Sequence, residues 1–217
     1  LGLLETMLED AAALTGSAEL DFDRRAVLVL CADNGVVAQG VTQTGPEATA
    51  AVARGLAAEQ SPVCRMARTA RCEVVPVDMG ILDFSPVEGI LSCRVGNGTG
   101  DITAGPAMTR AQAEQAVLTG AALAARQAAE GVRLLATGEM GIGNTTTSAA
   151  VACALLGRPA EDFTGRGAGL SDAGLARKVS AIQKALEVNR PDPADPLDVL
   201  AKVGGFDLAG LCGVFLG

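Results

Sequence analysis

The chain has 217 residues, a formal net charge of −8 and no histidine, tryptophan or tyrosine. Hydrophobic residues make up 49% and charged residues 19%, which is the composition of a globular protein and excludes a disordered or fibrous one. Without histidine there is no Ser-His or Cys-His catalytic pair and no His-ligated metal, and the acidic charge argues against a nucleic-acid-binding surface.

Strand-like and helix-like segments alternate along the chain, a pattern typical of an α/β protein with a parallel sheet. The unbroken apolar run at 26–31 predicts a strand buried on both faces, and further strands are predicted at 73–78 and 132–137. Helices are predicted between and after these strands: 46–59, one from Pro62, 109–130, 145–156, 172–189, one from Pro196 and a last one after Gly205.

Several of these helices carry recognisable caps. Thr109 with Gln112 predicts a capping box, and Gly131 predicts the end of that helix. Ser61, Ser171 and Asp195 are predicted to cap the starts of three other helices; they precede Pro62, Asp172 and Pro196, respectively.

The six cysteines form no CxxC pair, so they indicate no metal or redox motif and are expected to be small buried side chains. No apolar segment is long enough for a membrane span, and the first residues lack the basic region of a signal peptide. We therefore expect a cytoplasmic protein.

An acidic residue stands beside glycine at the end of each predicted strand. Asp33 precedes Gly35, Asp78 precedes Gly80, and Glu139 lies between Gly138 and Gly141. Aspartate and glycine are also ordinary turn residues. Their recurrence on three strands favours one shared crevice at the carboxyl ends of the strands, where α/β proteins bind ligands.

Two glycine-rich loops precede predicted helices and are candidates for a phosphate site. The first runs over 138–147 and offers backbone N–H groups with Asn and Thr donors at a helix start, although a simple glycine turn would look similar. The second, 165–171, contains Arg166, and Lys178 follows it on the next helix; either side chain reaches the crevice or is solvated. Neither the P-loop pattern nor GxGxxG occurs at a strand-to-helix turn, which disfavours a nicotinamide dehydrogenase.

The string at 138–146, GEMGIGNTT, resembles the signature of nicotinate-nucleotide–dimethylbenzimidazole phosphoribosyltransferases of the cobalamin lower-ligand pathway. The resemblance extends over the whole chain through further strings that match this family in order: DNGVV at 33–37, GVT at 40–42, VDMG at 77–80, PAMTR at 106–110, TGRGAGL at 164–170, Arg177-Lys178 and DPLDVLAKVGGF at 195–206.

This resemblance implies that a benzimidazole nitrogen attacks C1′ of nicotinate mononucleotide, which gives nicotinate and α-ribazole 5′-phosphate with inversion and without a cofactor. It also implies a homodimer and a Rossmann-like α/β domain with part of a smaller helical domain. We accordingly expect an N-terminal helix of the small domain at 1–20, the Rossmann-like domain at 21–190, and a connector with the start of an incomplete C-terminal region at 191–217.

The resemblance implies roles for individual residues. Glu139 contacts the acceptor base and Lys178 lies near the reaction, so both are candidate catalytic residues. The expected substrate-binding residues are Asp33, Thr42, Gln43, Asp78, Met140, Gly141, Gly143, Asn144, Thr145, Thr146, Gly165, Arg166 and Gly167. No metal ligand is expected.

The sequence departs from the family pattern in three places. Asn34 stands where members often have histidine, and the loop at 98–101 is looser than the family's GTxN-like loop. The RLGEGxGA-like motif with the presumed catalytic glutamate does not occur. We therefore expect a partial chain whose main base lies beyond Gly217. A non-catalytic nucleotide-binding subunit and, less favoured, a Rossmann-like oxidoreductase remain alternatives.

Overall fold

A computed structural model describes residues 2–217. These residues form four strands, nine α-helices and one 3₁₀ helix, in the order α1 (Leu3–Thr15), β1 (Arg25–Ala32), the 3₁₀ helix (Gly35–Gln39), α2 (Glu47–Ala57), α3 (Pro62–Ala70), β2 (Cys72–Gly80), β3 (Leu91–Ser92), α4 (Arg110–Ala129), β4 (Leu134–Met140), α5 (Asn144–Leu156), α6 (Ala160–Phe163), α7 (Asp172–Asn189), α8 (Pro196–Val203) and α9 (Phe206–Leu216).

The strands form one parallel sheet in the order β3-β2-β1-β4. β1 lies inside the sheet, and every residue of this strand after Arg25 is buried, which confirms the prediction from its unbroken apolar run. The chain moves from β1 outward to β2 and β3, and then crosses to the other side of β1 for β4. This reversal makes a topological switch point between the ends of β1 and β4, and such points hold ligands in α/β folds.

The sheet is covered by helices on both faces, because alternate residues of a strand point to opposite sides. Leu28 and Leu30 of β1 pack in a core with apolar residues of α4, α5, α7, α8 and α9. Val27 and Val29 face the other way and pack with residues of α2 and α3. The predicted α/β class with a Rossmann-like parallel sheet is confirmed.

Most predicted element ends and caps are close to the observed ones. Both hydrogen bonds of the Thr109–Gln112 capping box are present, and the side chains of Ser171 and Asp195 accept backbone N–H groups as predicted. Ser61 occupies the N-cap position before Pro62 as predicted, but its hydroxyl makes no capping hydrogen bond and lies 3.1 Å from the sulfur of Cys64.

Helices α4 and α9 approach each other backbone to backbone. A Cβ atom added to Gly120 would overlap the carbonyl oxygen of Gly210, and one added to Gly213 would overlap the carbonyl oxygen of Val117. Only glycine fits at these crossings. α9 therefore packs into the same core as the sheet, to which it contributes Phe206.

The cysteine prediction holds for half of the six residues. Cys31, Cys64 and Cys153 are buried, whereas Cys72 and Cys93 are partly exposed and Cys212 is exposed. The N-terminal helix α1 has no buried residue. Over residues 2–217, no helix combines the length and apolar character that crossing a bilayer requires.

Candidate active site at the switch point

A cavity of about 320 Å³ opens at the carboxyl ends of β1 and β4. Three loops line it: 41–44 after the 3₁₀ helix, 140–145 after β4, and 166–170 before α7, from which Lys178 also reaches the cavity. The structure therefore brings together most of the predicted site residues, namely Thr42, Gln43, Met140, Gly141, Gly143, Asn144, Thr145, Arg166, Gly167 and Lys178.

The turn from β4 into α5 can only be made with glycine at two positions. Gly143 has φ +96°, and a Cβ there would lie 3.0 Å from a methyl group of Val37. A Cβ on Gly141 would lie 2.7 Å from a carboxylate oxygen of Asp207. No side chain within 2–217 caps α5 at Gly143, and the positive end of this helix faces the cavity.

Lys178 is a buried cation at this cavity, with only 1% of its surface exposed. Its ammonium group donates to the hydroxyl of Thr145 at 2.6 Å and to the carbonyl oxygen of Gly165 at 3.2 Å. No carboxylate within 2–217 forms an ion pair with it. Burial lowers its pKa, and an anion bound between the two glycine loops would favour the charged form and raise the pKa again.

Arg166 is less available than Lys178. Its guanidinium group donates to the carbonyl oxygen of Leu170 at 2.8 Å and forms an ion pair with the exposed carboxylate of Asp172. The pKa of Asp172 is lowered by this partner. Arg166 thus shapes the second glycine loop, and its remaining N–H groups are the ones left for a ligand.

Glu139 stands at the end of β4 beside the cavity. Its carboxylate accepts hydrogen bonds from the side-chain amide of Asn144 and from the backbone N–H of Gly141. Burial raises its pKa above the ordinary value despite these two donors. A carboxylate of this kind can accept a proton or an N–H hydrogen bond at neutral pH.

The loop at 41–44 is held to the second glycine loop. Gln43 donates its side-chain amide to the carbonyl oxygen of Gly169, and the hydroxyl of Thr42 donates to the carbonyl oxygen of Thr44 at 2.7 Å. These contacts close one wall of the cavity, so Thr42 and Gln43 are positioned to contact a ligand.

Four predicted binding residues do not line this cavity: Asp33, Asp78, Thr146 and Gly165, of which Gly165 still accepts the ammonium group of Lys178 with its carbonyl oxygen. Asp78 pairs with Arg94 at 2.7 Å and accepts the backbone N–H groups of Gly80 and Ile81, so its carboxylate fixes a loop. Thr146 is fully buried below the start of α5. Asp33 accepts the N–H of Leu82 at 2.8 Å.

Asp33 lies instead at a second, more apolar cavity of about 420 Å³, which Asn34, Val37 and Leu82 also line. Burial raises the pKa of Asp33. Its binding role, like those of Asp78 and Thr146, stays a prediction.

The sequence reasoning missed Asp207, a fully buried acid on α9 that touches the Gly141 turn. The only signal was an aspartate in the first turn of a predicted helix, where acids are common for a different reason. In residues 2–217 no group of acidic or sulfur side chains is arranged to hold a metal ion.

Comparison with known proteins gives the family. A family model described as phosphoribosyltransferase matches residues 1–217, the entire chain. The chain belongs to this phosphoribosyltransferase family. A nicotinate-nucleotide–dimethylbenzimidazole phosphoribosyltransferase of Acetivibrio thermocellus is 45% identical over the whole chain. One of the same name from Roseiflexus castenholzii is 46% identical.

The fold agrees with this membership. The crystal structure of CobT from Thermus thermophilus matches 99% of the chain with a TM-score of 0.93 and 42% identity. The chain spans 62% of the length of these curated relatives and 65% of that crystallised chain. The family that matches the chain is a phosphoribosyltransferase family and not a family of oxidoreductases.

Proposed function

We propose that the protein transfers a phosphoribosyl group from nicotinate mononucleotide to a benzimidazole-type base and forms α-ribazole 5′-phosphate for cobalamin assembly. The family membership and the names of the relatives support this reaction. The structural observation that carries the proposal is Lys178: a buried ammonium group without an anionic partner in residues 2–217, set between two glycine loops and a helix N-terminus.

The phosphate of the mononucleotide binds at this cation. Lys178, Thr145 and the backbone at Gly165 and Gly167 surround it, and Arg166 offers its free N–H groups. Lys178 thereby gains a charge partner. The ribose then lies along the Met140–Gly143 turn, with its C1′ toward Glu139 and the 41–44 wall.

The reaction needs no histidine. As the azole nitrogen forms its bond to C1′, the bond from C1′ to the pyridinium nitrogen breaks and its electron pair returns to the ring, so nicotinate leaves without protonation. The azole N–H proton passes to a base. Glu139 accepts the hydrogen bond of this N–H group and so holds the azole in place for the attack on C1′.

The setting of the reaction is part of the proposal. Free cysteines in six places suit a reducing cytoplasm. The homodimer rests on the family resemblance alone, and sedimentation of the purified protein tests it.

Replacing Lys178 with methionine tests the phosphate site. We expect Lys178→Met to weaken nicotinate mononucleotide binding by about 10- to 100-fold, the usual worth of a hydrogen-bonded charge. Calorimetric titration measures the affinity. The matched control is Lys184→Met on the same helix, where the lysine is exposed and pairs with Glu187.

The free energy of unfolding should not fall in Lys178→Met, because the mutation removes a buried charge that has no carboxylate partner within 2–217. A well-folded Lys178→Met protein with the affinity of the Lys184→Met control would contradict the proposed site.

A further inference from the structure

Asp207 is a buried acid that the proposed reaction leaves unexplained. It is 0% exposed, and no Lys or Arg of the described chain forms an ion pair with it. Its Oδ1 accepts the backbone N–H of Leu208 at 2.9 Å, and its Oδ2 lies 3.5 Å from the amide nitrogen of Asn34. An ionised carboxylate with so few donors is costly to bury.

The side chains of Asp207 and Asn34 lie face to face between two glycines. On one side, a Cβ at Gly141 would be 2.7 Å from Asp207 Oδ2 and 3.1 Å from Asn34 Nδ2. On the other side, a Cβ at Gly205 would overlap Asp207 Oδ1 and lie 2.5 Å from Asn34 Oδ1. The amide nitrogen therefore lies at one carboxyl oxygen, and the amide oxygen and the other carboxyl oxygen both lie against Gly205.

The amide oxygen of Asn34 is buried and has no hydrogen-bond partner among residues 2–217. A buried acceptor of this kind needs a donor. A proton on Oδ1 of Asp207 would supply it, and the two side chains would then form a closed acid–amide pair: O–H to amide oxygen, and amide N–H to carboxyl oxygen.

The charges around this pair favour the neutral acid. Glu139 on β4 acts on Asp207 with a negative charge. Cys31 on β1 is neutral, since burial raises its pKa to about 12 with Asp78 and Asp207 adding to the rise. No positive group in the described part of the chain offsets them, so both geometry and charge place a proton on the pair.

The pair supports the turn that forms the cavity. Gly141, which donates its N–H to Glu139, rests against Asp207. A Cβ at Gly143 would lie 3.1 Å from the Cβ of Asn34, so this second glycine rests on the amide residue. Any separation of the pair would shift the Gly141–Gly143 turn and the donors around Glu139.

We propose that Asp207 is a positioning residue that, as the neutral acid, closes a hydrogen-bonded pair with Asn34 and holds the Gly141–Gly143 turn in its binding shape. The test of this role by ligand affinity rests on the proposed function, because it uses nicotinate mononucleotide. The test of the protonation of the pair does not depend on the proposed function.

Infrared spectroscopy tests the protonation directly. The difference spectrum between the wild-type chain and Asp207→Asn at pH 6 should contain the carbonyl stretch of a protonated carboxylic acid, and this band should weaken as the pH rises past 7. Glu114→Gln, a change at an exposed helix position, is the control and should leave the band in place. A spectrum with only carboxylate bands at pH 6 would overturn the proposal, whatever the protein catalyses.

A swap of the two side chains tests the positioning role. Asn34→Asp places two acids face to face, and we expect it to weaken nicotinate mononucleotide binding by about tenfold or more at pH 6, where the wild-type pair keeps its proton, with less effect at pH 5. The double variant Asn34→Asp/Asp207→Asn restores one acid and one amide in reverse order, and it should recover the affinity to within about threefold, the signature of a direct coupling in a double-mutant cycle.

Additive losses in the double variant at pH 6 would contradict the pair. If no variant and no wild-type protein binds the mononucleotide, the proposed function fails while the infrared result still decides the protonation.

Discussion

At the scale of single residues, a buried lysine and a half-buried glutamate define the site. Lys178 has hydrogen-bond donors to spare and no anion within the described chain, whereas Glu139 has two donors and a pKa raised by burial. A substrate with a phosphate at one end and an N–H-bearing acceptor at the other would satisfy both groups at once. Mutation of Lys178 should therefore affect the mononucleotide, and mutation of Glu139 should affect the acceptor.

Glu139→Gln should therefore impair use of the acceptor and spare the mononucleotide. The amide keeps the size of the side chain but removes the carboxylate that accepts the azole N–H group, so we expect a lower kcat with the azole, by about 10- to 100-fold, the worth of a hydrogen bond to a charged group. The affinity for nicotinate mononucleotide should stay within about threefold, since Lys178 and not Glu139 binds the phosphate. Steady-state kinetics with varied azole, together with calorimetry, separates the two effects.

Glu161→Gln is the control for this measurement, because Glu161 is exposed and bonds to the surface residue Gln183. A kcat unchanged in Glu139→Gln would remove Glu139 from the reaction. A loss of mononucleotide affinity equal to the loss in kcat would assign it to the phosphoribosyl side instead.

The sequence was sufficient to predict the loops of the cavity but not the state of their side chains. Glycine loops before helices identified 138–147 and 165–171, because glycine positions reflect local backbone demands. The burial of Lys178 depends on α7 packing beside α5, and the pairing of Asp207 with Asn34 joins residues from opposite ends of the chain. Such contacts have no local sequence pattern.

At the scale of elements, the contact between α4 and α9 ties the end of the described chain to the sheet. Gly120, Gly210 and Gly213 let the two helices meet without side chains between them. α9 also carries Asp207, which lies against Gly141 of the cavity turn. The close packing of α9 on α4 therefore fixes the position of Asp207 relative to this turn. The crossing is thus part of the support of the site.

Gly120→Ala tests this crossing. The new methyl group would overlap the backbone of α9. We therefore expect the free energy of unfolding to fall by about 1–3 kcal/mol, as in other overpacked cores. Gly55→Ala in α2 is the matched control: nothing lies within 4 Å of its added Cβ, and alanine should raise the stability by about 0.5–1 kcal/mol. Urea denaturation measures both, and equal changes would show that the helices can move apart freely.

The observed end of β4 is set by hydrogen bonding to the neighbouring strand and not by the local sequence. The third strand was predicted at 132–137, yet β4 begins at Leu134 and continues through Met140. The reason is the ladder with β1, in which Val29 faces Gly138 and Cys31 faces Met140. The two-residue strand β3 and the 3₁₀ helix were not predicted, because both are too short to show a periodic pattern.

At the scale of the whole molecule, Asp207 makes stability depend on pH. Burial, with a smaller effect of Glu139, raises its pKa from 3.8 to about 7. Between these two values the folded protein keeps a proton that the unfolded chain has released, so the free energy of unfolding falls as the pH rises from about 4 to about 7. Below this window both states are protonated, and above it both are ionised.

Asp207→Asn should remove this part of the pH dependence. The fall across this window should be smaller than in the wild type by up to about 4 kcal/mol, since each unit of pKa shift corresponds to about 1.4 kcal/mol. The raised pKa values of Glu139 and Asp33 act in the same direction but remain in both proteins. Denaturation curves at several pH values give the difference, and parallel curves for the two proteins would contradict it.

The position of β1 inside the sheet has a consequence for synthesis on the ribosome. β1 emerges early and can pair with β2 soon afterwards, but its other edge waits for β4, which begins only at Leu134. Until then the nascent chain presents an unpaired edge of Val, Leu and Cys residues, the kind of surface that promotes association between chains. Slow translation before Leu134, or a shortage of chaperones, should therefore reduce the yield of folded protein more than its final stability suggests.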